Sequence, residues 1–147
     1  MKQRVLRAFD MSSFMWTHLS VGKDAENGKV IEHDGKKVQV NSAQYGFDNC
    51  MTRMIDILKK YRAVPIDCIL VFEGAMSKSQ RLLISKDYKG GGGQSRPPEA
   101  YEQFEKLRDM LKQQWRDLGA QTMWQDYAEG DDTLAWLARE TEDDLVV

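Results

Sequence analysis

Short apolar runs alternate along this chain with longer segments whose apolar residues recur at helical spacing. The clearest run extends from Ile66 to Phe72 and predicts a central strand. A helix between two strands of one sheet forms a crossover connection, and such crossovers are right-handed. The alternation therefore predicts an α/β fold, with a central, mainly parallel sheet and helices on both faces.

The predicted elements follow from apolar spacing and from Gly and Pro at their ends. The dipeptide Asp34-Gly35 lies between two short polar strands and indicates a surface β-hairpin. The predicted strands are 4–9, 29–32, 36–40, 66–72, 120–125 and one beginning at 145, and the predicted helices are 12–19, 47–61, 97–118 and 131–139.

Length and composition indicate one intracellular domain over residues 1–147. The chain is 41% apolar, which is enough for a core. Cys50 and Cys68 lie in apolar stretches without the paired spacing of a zinc site, and we interpret them as reduced packing residues. No signal peptide and no apolar run of membrane-spanning length is found in the sequence. We therefore expect a cytoplasmic location and no membrane partner.

Five acidic side chains occur where three predicted strands end. Asp10 follows the first strand, Glu73 follows the central strand, and Glu129, Asp131 and Asp132 follow the third. Carboxylates at the same end of neighbouring parallel strands converge on one crevice, where a divalent cation offsets their repulsion. The sequence therefore predicts a metal-dependent phosphodiesterase.

The charged residues are unevenly distributed along the chain. Residues 74–96 contain five basic side chains and one acidic side chain, whereas residues 126–147 contain eight acidic side chains and one basic side chain. An enzyme that cleaves a polyanion needs basic side chains to bind the phosphates next to its acidic metal site, and a flexible basic segment after an acidic strand end provides them. The alternative interpretation is that both segments are solvated surfaces.

Several motifs resemble, in order and spacing, the N-terminal nuclease domain of bacteriophage and bacterial 5′-3′ exonucleases, which belongs to the flap endonuclease superfamily. The motifs are Asp10 at a strand end, Val71-Phe72-Glu73-Gly74, Tyr88-Lys89-Gly90, Arg96-Pro97-Pro98-Glu99 and Glu129-Gly130-Asp131-Asp132. The resemblance implies a three-layer PIN-like domain in which residues 74–96 form a flexible basic arch. Members of the family hydrolyse phosphodiesters near the 5′ ends of DNA or RNA, often at flaps.

The resemblance assigns metal ligands to the acidic strand ends. The implied ligands of the first ion, direct or through water, are Asp10, Glu73, Glu129 and Asp131, with Asp132 beside them. An all-oxygen set without histidine or thiolate suits Mg²⁺ or Mn²⁺. Glu73 stands where the family usually has aspartate, so its carboxylate reaches one methylene further.

The resemblance also assigns nucleic-acid contacts to the basic segment. Lys89 and Arg81 are the implied catalytic cations that hold the scissile and flanking phosphates, with Lys86 and Arg96 as further phosphate contacts. Tyr88 is in position to stack on an unpaired base. The run from Gly90 to Ser95 is longer than the family's usual step, so the equivalence of Arg96 to the family's arginine stays open.

The resemblance ends at Val147, in the strand that leads to a second aspartate cluster in the family. We therefore expect that downstream sequence or a second polypeptide completes the domain for full activity. Two other functions remain open. One is a small PIN-type ribonuclease of the toxin kind, and the other is a non-catalytic domain that binds nucleic acid or protein.

Overall fold

The computed structural model describes residues 5–74, 96–125, 129–141 and 144–147. The chain divides into two compact units. Unit 1 takes its described residues from Met1–Ser12, Arg62–Gly93 and Gln114–Val147, and unit 2 takes its residues from Ser13–Tyr61 and Gln94–Gln113.

Every predicted strand and helix is present, with shifted ends. The strands are β1 (Val5–Asp10), β2 (Lys29–His33), β3 (Lys36–Val40), β4 (Cys68–Val71), β5 (Gln121–Met123) and β6 (Asp144–Val146). The helices are α1 (Met11–Ser20), α2 (Ala43–Tyr61), α3 (Pro98–Asp117) and α4 (Gly130–Glu140), and a short 3₁₀ helix, Pro65–Asp67, precedes β4.

The sheet of unit 1 is parallel throughout. Its strand order is β5-β4-β1-β6. All three neighbouring pairs are parallel, and Asp10 is in register with Val71, which in turn is in register with Met123. The predicted α/β class is therefore confirmed.

One face of this sheet packs against α4. The buried residues of this layer come from β1, β4 and α4 and are Leu6, Ala8, Ile69, Val71, Leu134 and Leu137, with Met123 of β5 partly buried beside them. Alternation along a strand directs Cys68 and Leu70 to the opposite face, and both are fully buried too. Strand β4 is therefore covered on both faces, as expected for a central strand of an α/β sheet.

The predicted hairpin is confirmed in unit 2. Strands β2 and β3 pair antiparallel, with His33 opposite Lys36. The two residues of the turn, Asp34 and Gly35, have φ values of 51° and 73°. Two consecutive positive φ values characterise the tight hairpin turn that favours an Asp-Gly dipeptide.

The two cysteines are packing residues, as predicted. Cys50 and Cys68 are free thiols and are buried. Burial raises the pKa of the Cys50 thiol to about 12, and burial together with the nearby Asp67 carboxylate raises the pKa of Cys68 to about 11. Both thiols are therefore protonated and poorly nucleophilic at neutral pH.

A hydrogen-bond network around Asp24 connects the loop after α1 to the start of α2. Its Oδ2 accepts hydrogen bonds from the Ser42 hydroxyl at 2.6 Å and from the Ser42 backbone N–H at 3.0 Å. Its Oδ1 accepts from the backbone N–H groups of Glu26 and Asn27 at 3.1 and 3.0 Å. These donors, the Ser42 hydroxyl foremost, lower the pKa of Asp24 from 3.8 to about 2.

This network predicts a loss of stability in acid. Because the folded pKa of Asp24 lies below its ordinary value, the ionised carboxylate stabilises the fold above pH ~4, and this contribution is lost as the pH falls towards ~2. We expect Asp24→Asn to be less stable than wild type at pH 7 and to lose less stability on acidification. Urea unfolding at pH 7 and at an acidic pH between about 2 and 4 tests this. The control is Asp56→Asn, which changes an exposed aspartate of α2. Identical pH dependence in the two variants would contradict the role of Asp24.

None of the helices in the described part of the chain combines the length and the apolar character needed to cross a bilayer.

Candidate functional site

The candidate site lies at the carboxyl edge of the parallel sheet in unit 1. Asp10 is the last residue of β1 and is level with Val71 and Met123 in the two neighbouring strands. The backbone N–H of Phe72 donates to the Met123 carbonyl at 2.9 Å, so β4 and β5 remain paired one residue further. Glu73 follows Phe72 and is exposed. Two of the predicted acidic residues therefore follow adjacent strands at one edge.

The Asp10 carboxylate lies against the first residue of α4. A Cβ atom placed on Gly130 would be only 2.9 Å from Asp10 Oδ1, closer than real Cβ contacts. Glycine therefore allows the carboxylate to approach the helix backbone. The N-terminus of a helix carries partial positive charge from its unpaired N–H groups, which favours a carboxylate at this position.

The residues on either side of Gly130 form a capping box. The backbone N–H of Glu129 donates to Asp132 Oδ2 at 3.2 Å, and the Glu129 side chain caps the backbone of Asp132 in return. Asp132 therefore has a structural role at the start of α4. The fully buried Thr133 donates from Oγ1 to Gln125 Oε1 at 3.2 Å, which ties this turn to the segment after β5.

The structure thus brings most of the predicted acidic residues to one edge. Asp10 contacts Gly130, which stands between Glu129 and the rest of the acidic motif. Asp131 lies in the first turn of α4, and its side chain is outside the described part of the chain. Within the described residues, no three Asp, Glu, His or Cys side chains are grouped closely enough to hold a metal ion. The donors at this edge are carboxylate oxygens, which are the ligands that hard divalent cations take.

The predicted nucleic-acid contacts fall mainly outside the described residues, namely Arg81, Lys86, Tyr88 and Lys89. Arg96 is described and belongs to unit 2. Its guanidinium carbon lies 3.9 Å from the centre of the Trp16 ring. This distance is typical of a cation–π contact.

Trp16 is the centre of an aromatic cluster in unit 2. Its ring stacks on Phe104 at 4.1 Å between centroids with an interplanar angle of 14°. Tyr101 forms a T-shaped pair with it, at 5.6 Å between centroids and an interplanar angle of 89°. The Tyr101 residue remains 43% exposed. Sequence reasoning missed Trp16 as a partner of Arg96, because the two are 80 positions apart and no local motif connects them.

Gly130 is the other residue that sequence reasoning missed. Its signal was present, because a glycine between acidic residues in Glu129-Gly130-Asp131-Asp132 provides room for a close approach. The identity of the approaching group, Asp10, depends on the fold.

Comparisons of the chain with protein-family models, with curated proteins and with solved structures gave no match. We therefore infer the function from the motif residues and from where the fold places them.

Proposed function

We propose that this chain is a divalent-metal-dependent 5′ nuclease domain with a PIN-like fold, acting in the cytoplasm on the 5′ ends or flaps of DNA or on RNA. The observation that carries the proposal is the contact between the Asp10 carboxylate and Gly130. This contact places an acidic strand end against the start of the helix that bears Glu129 and Asp132. Ligands in open α/β sheets bind at this edge of the strands.

The chemistry of the donor set fits Mg²⁺ or Mn²⁺. Asp10, Glu73, Glu129, Asp131 and Asp132 are the residues that would hold the ion, directly or through water. When bound, such an ion lowers the pKa of a coordinated water and offsets the charge that develops on phosphate oxygens. Glu73 is exposed at the same edge, directly after Phe72.

Residues of the chain hold the acidic side chains in place and supply the positive charge that binds phosphate. Strand pairing and the contact with Gly130 hold Asp10 in place, and the capping box orders the first turn of α4. We further propose that Lys89 and Arg81 hold the scissile and flanking phosphates, because cations next to an acidic site are needed to bind a polyanion. The same proposal gives Lys86 and Arg96 supporting phosphate contacts and Tyr88 a base-stacking role.

The proposal includes a second polypeptide or further sequence that supplies the remaining acidic cluster. Two alternatives predict different behaviour. A small PIN-type ribonuclease would cut single-stranded RNA without requiring a 5′ end. A binding domain would retain nucleic acid without cutting it, and the capping roles of Glu129 and Asp132 are the observation in its favour.

A panel of substrates tests the proposal. We expect the chain to cut a 5′-flapped DNA duplex in Mg²⁺ or Mn²⁺, slowly on its own and faster with the completing sequence, since two ions stabilise both the attacking and the leaving oxygen. Chelation of the metal is expected to stop cleavage. Cleavage of internal sites in circular single-stranded RNA would favour the ribonuclease. Retention of every substrate without cleavage, with the completing sequence present, would favour the binding domain.

A further inference from the structure

Thr133 is a polar side chain that is fully buried near the start of α4. A threonine in a helix can donate its hydroxyl to the carbonyl four residues earlier, which here belongs to Glu129. The Thr133 hydroxyl instead donates to Gln125 Oε1 at 3.2 Å, eight positions back in the chain. The Glu129 carbonyl accepts from the Thr133 backbone N–H at 3.2 Å. Thr133 therefore holds two residues that precede α4, one through its side chain and the other through its backbone.

The connection from β5 to α4 is attached to both elements. The Phe72 backbone N–H donates to the Met123 carbonyl at 2.9 Å, which holds the last residue of β5 on β4. Gln125 lies two residues beyond this fixed point. Its bond to Thr133 links the carboxyl end of β5 directly to the helix. The backbone of Glu129, at the other end of the connection, is therefore held relative to the sheet.

Packing alone does not require a hydroxyl at position 133. Valine has the shape of threonine, and replacing both partners of a buried hydrogen bond by apolar groups of the same shape can be nearly neutral. The next residue, Leu134, belongs to the apolar layer between α4 and the sheet. A hydrogen bond has a defined length and direction, whereas apolar burial is non-directional. The pair Gln125–Thr133 therefore fixes a position as well as filling space.

We infer that Thr133 and Gln125 are positioning residues for the divalent-cation site at the acidic edge. Because Glu129 is one of the ligands assigned in the proposed function, this role rests on that proposal. The hydrogen bond between the two side chains holds the Glu129 backbone next to Gly130, against which the Asp10 carboxylate lies. Thr133 and Gln125 act through Glu129 and do not themselves bind the ion.

Calorimetric titration of Mn²⁺ into variants of the full chain tests this role. Thr133→Val keeps the shape and removes the donor, and we expect its Mn²⁺ affinity to fall by about tenfold, as for residues that orient metal ligands. Thr133→Ser keeps the donor and removes a buried methyl group, and we expect it to bind Mn²⁺ as wild type does. Urea unfolding is expected to show lower stability in both variants, since one leaves an acceptor unpaired and the other leaves a cavity. A loss of affinity confined to Thr133→Val is then not a consequence of lower stability.

Gln125→Met removes the acceptor of the same hydrogen bond. We expect it to lower the Mn²⁺ affinity by about tenfold alone and to add nothing to Thr133→Val, because the two side chains act through one contact. Thr17→Val is the matched control. It removes a threonine hydroxyl that donates to the Ser13 carbonyl at 3.0 Å within α1. We expect this control to keep the Mn²⁺ affinity of wild type.

The outcomes distinguish failure of this role from failure of the proposed function. If wild type binds Mn²⁺ and Thr133→Val binds it equally well, the positioning role is overturned while the cation site stands. The same holds if Thr133→Ser loses as much affinity as Thr133→Val, or if the losses in Thr133→Val and Gln125→Met multiply in the double variant. Absence of saturable Mn²⁺ binding to wild type would overturn the cation site and the positioning role together. Circular dichroism establishes that each variant is folded under the conditions of the titration.

Discussion

Replacing Asp10 by asparagine is expected to lower the affinity of the chain for Mn²⁺ by at least about 100-fold. Loss of a residue that merely orients a metal ligand costs roughly 10–100-fold in affinity, and Asp10 is proposed to be a ligand itself. The substitution keeps the shape of the side chain and removes its charge. Calorimetric titration of Mn²⁺ into both proteins measures the effect.

The control for this substitution is Asp67→Asn. Asp67 ends the 3₁₀ helix just before β4, so it lies at the opposite end of that strand from the acidic edge. It carries the same charge and receives the same chemical change. We expect its Mn²⁺ affinity to equal that of wild type. Equal Mn²⁺ affinities of wild type and Asp10→Asn would remove Asp10 from the proposed site.

Replacing Gly130 by alanine is expected to destabilise the fold by about 1–3 kcal/mol, the usual cost of forcing an extra methyl group into a packed place. The new Cβ atom would lie 2.9 Å from Asp10 Oδ1, so the carboxylate must move away from the start of α4. We also expect weaker Mn²⁺ binding, since Asp10 would leave its position. Urea unfolding and calorimetry measure the two effects.

A double-mutant cycle shows whether this cost arises from Asp10. In an Asp10→Ala background the oxygen that collides with the new Cβ is absent. Alanine also favours a helix over glycine by up to about 1 kcal/mol, so Gly130→Ala should there be neutral or stabilising. Two residues in contact typically show a coupling free energy of roughly 0.5–3 kcal/mol in such a cycle. Additive effects of the two substitutions would show that Asp10 and Gly130 do not touch in solution.

The alternation of strands and helices was predictable because it depends on local apolar spacing. The start of the central strand was less predictable. The apolar run Ile66 to Phe72 predicts a strand throughout, yet β4 begins at Cys68, and Ile66 lies in the 3₁₀ helix with 64% of its surface exposed. Hydropathy does not distinguish an apolar residue in such a turn from one in the strand that follows it.

The start of α2 was predicted too late for a different reason. The apolar pattern begins at Phe47, whereas the helix begins at Ala43. Its first turn is supported by one long-range hydrogen bond, from the Ala43 backbone N–H to Gln103 Oε1 at 2.9 Å, and by a local one from the Tyr45 backbone N–H to the Ser42 hydroxyl. A cap supplied by a residue 60 positions away leaves no trace in local sequence.

The candidate site also has a part that the sequence predicts and a part that only the fold shows. Parallel topology implies that Asp10 and Glu73 follow neighbouring strands at one edge, and sequence reasoning placed them there. The sequence does not show that Asp10 would press against Gly130, or that Arg96 would lie on Trp16, because both contacts join segments far apart in the chain. The roles of Arg81, Lys86, Tyr88 and Lys89 remain predictions.

We propose that the acidic edge of unit 1 supports metal-dependent phosphodiester hydrolysis. Cleavage of a 5′-flapped DNA duplex by the chain, followed while Mn²⁺ is added, chelated and added again, tests this hydrolysis. We expect cleavage near the 5′ end that starts, stops and resumes with the metal and is absent in Asp10→Asn. Cleavage that persists in EDTA, or that is unchanged in Asp10→Asn, would contradict it, as would no cleavage at all with either Mg²⁺ or Mn²⁺.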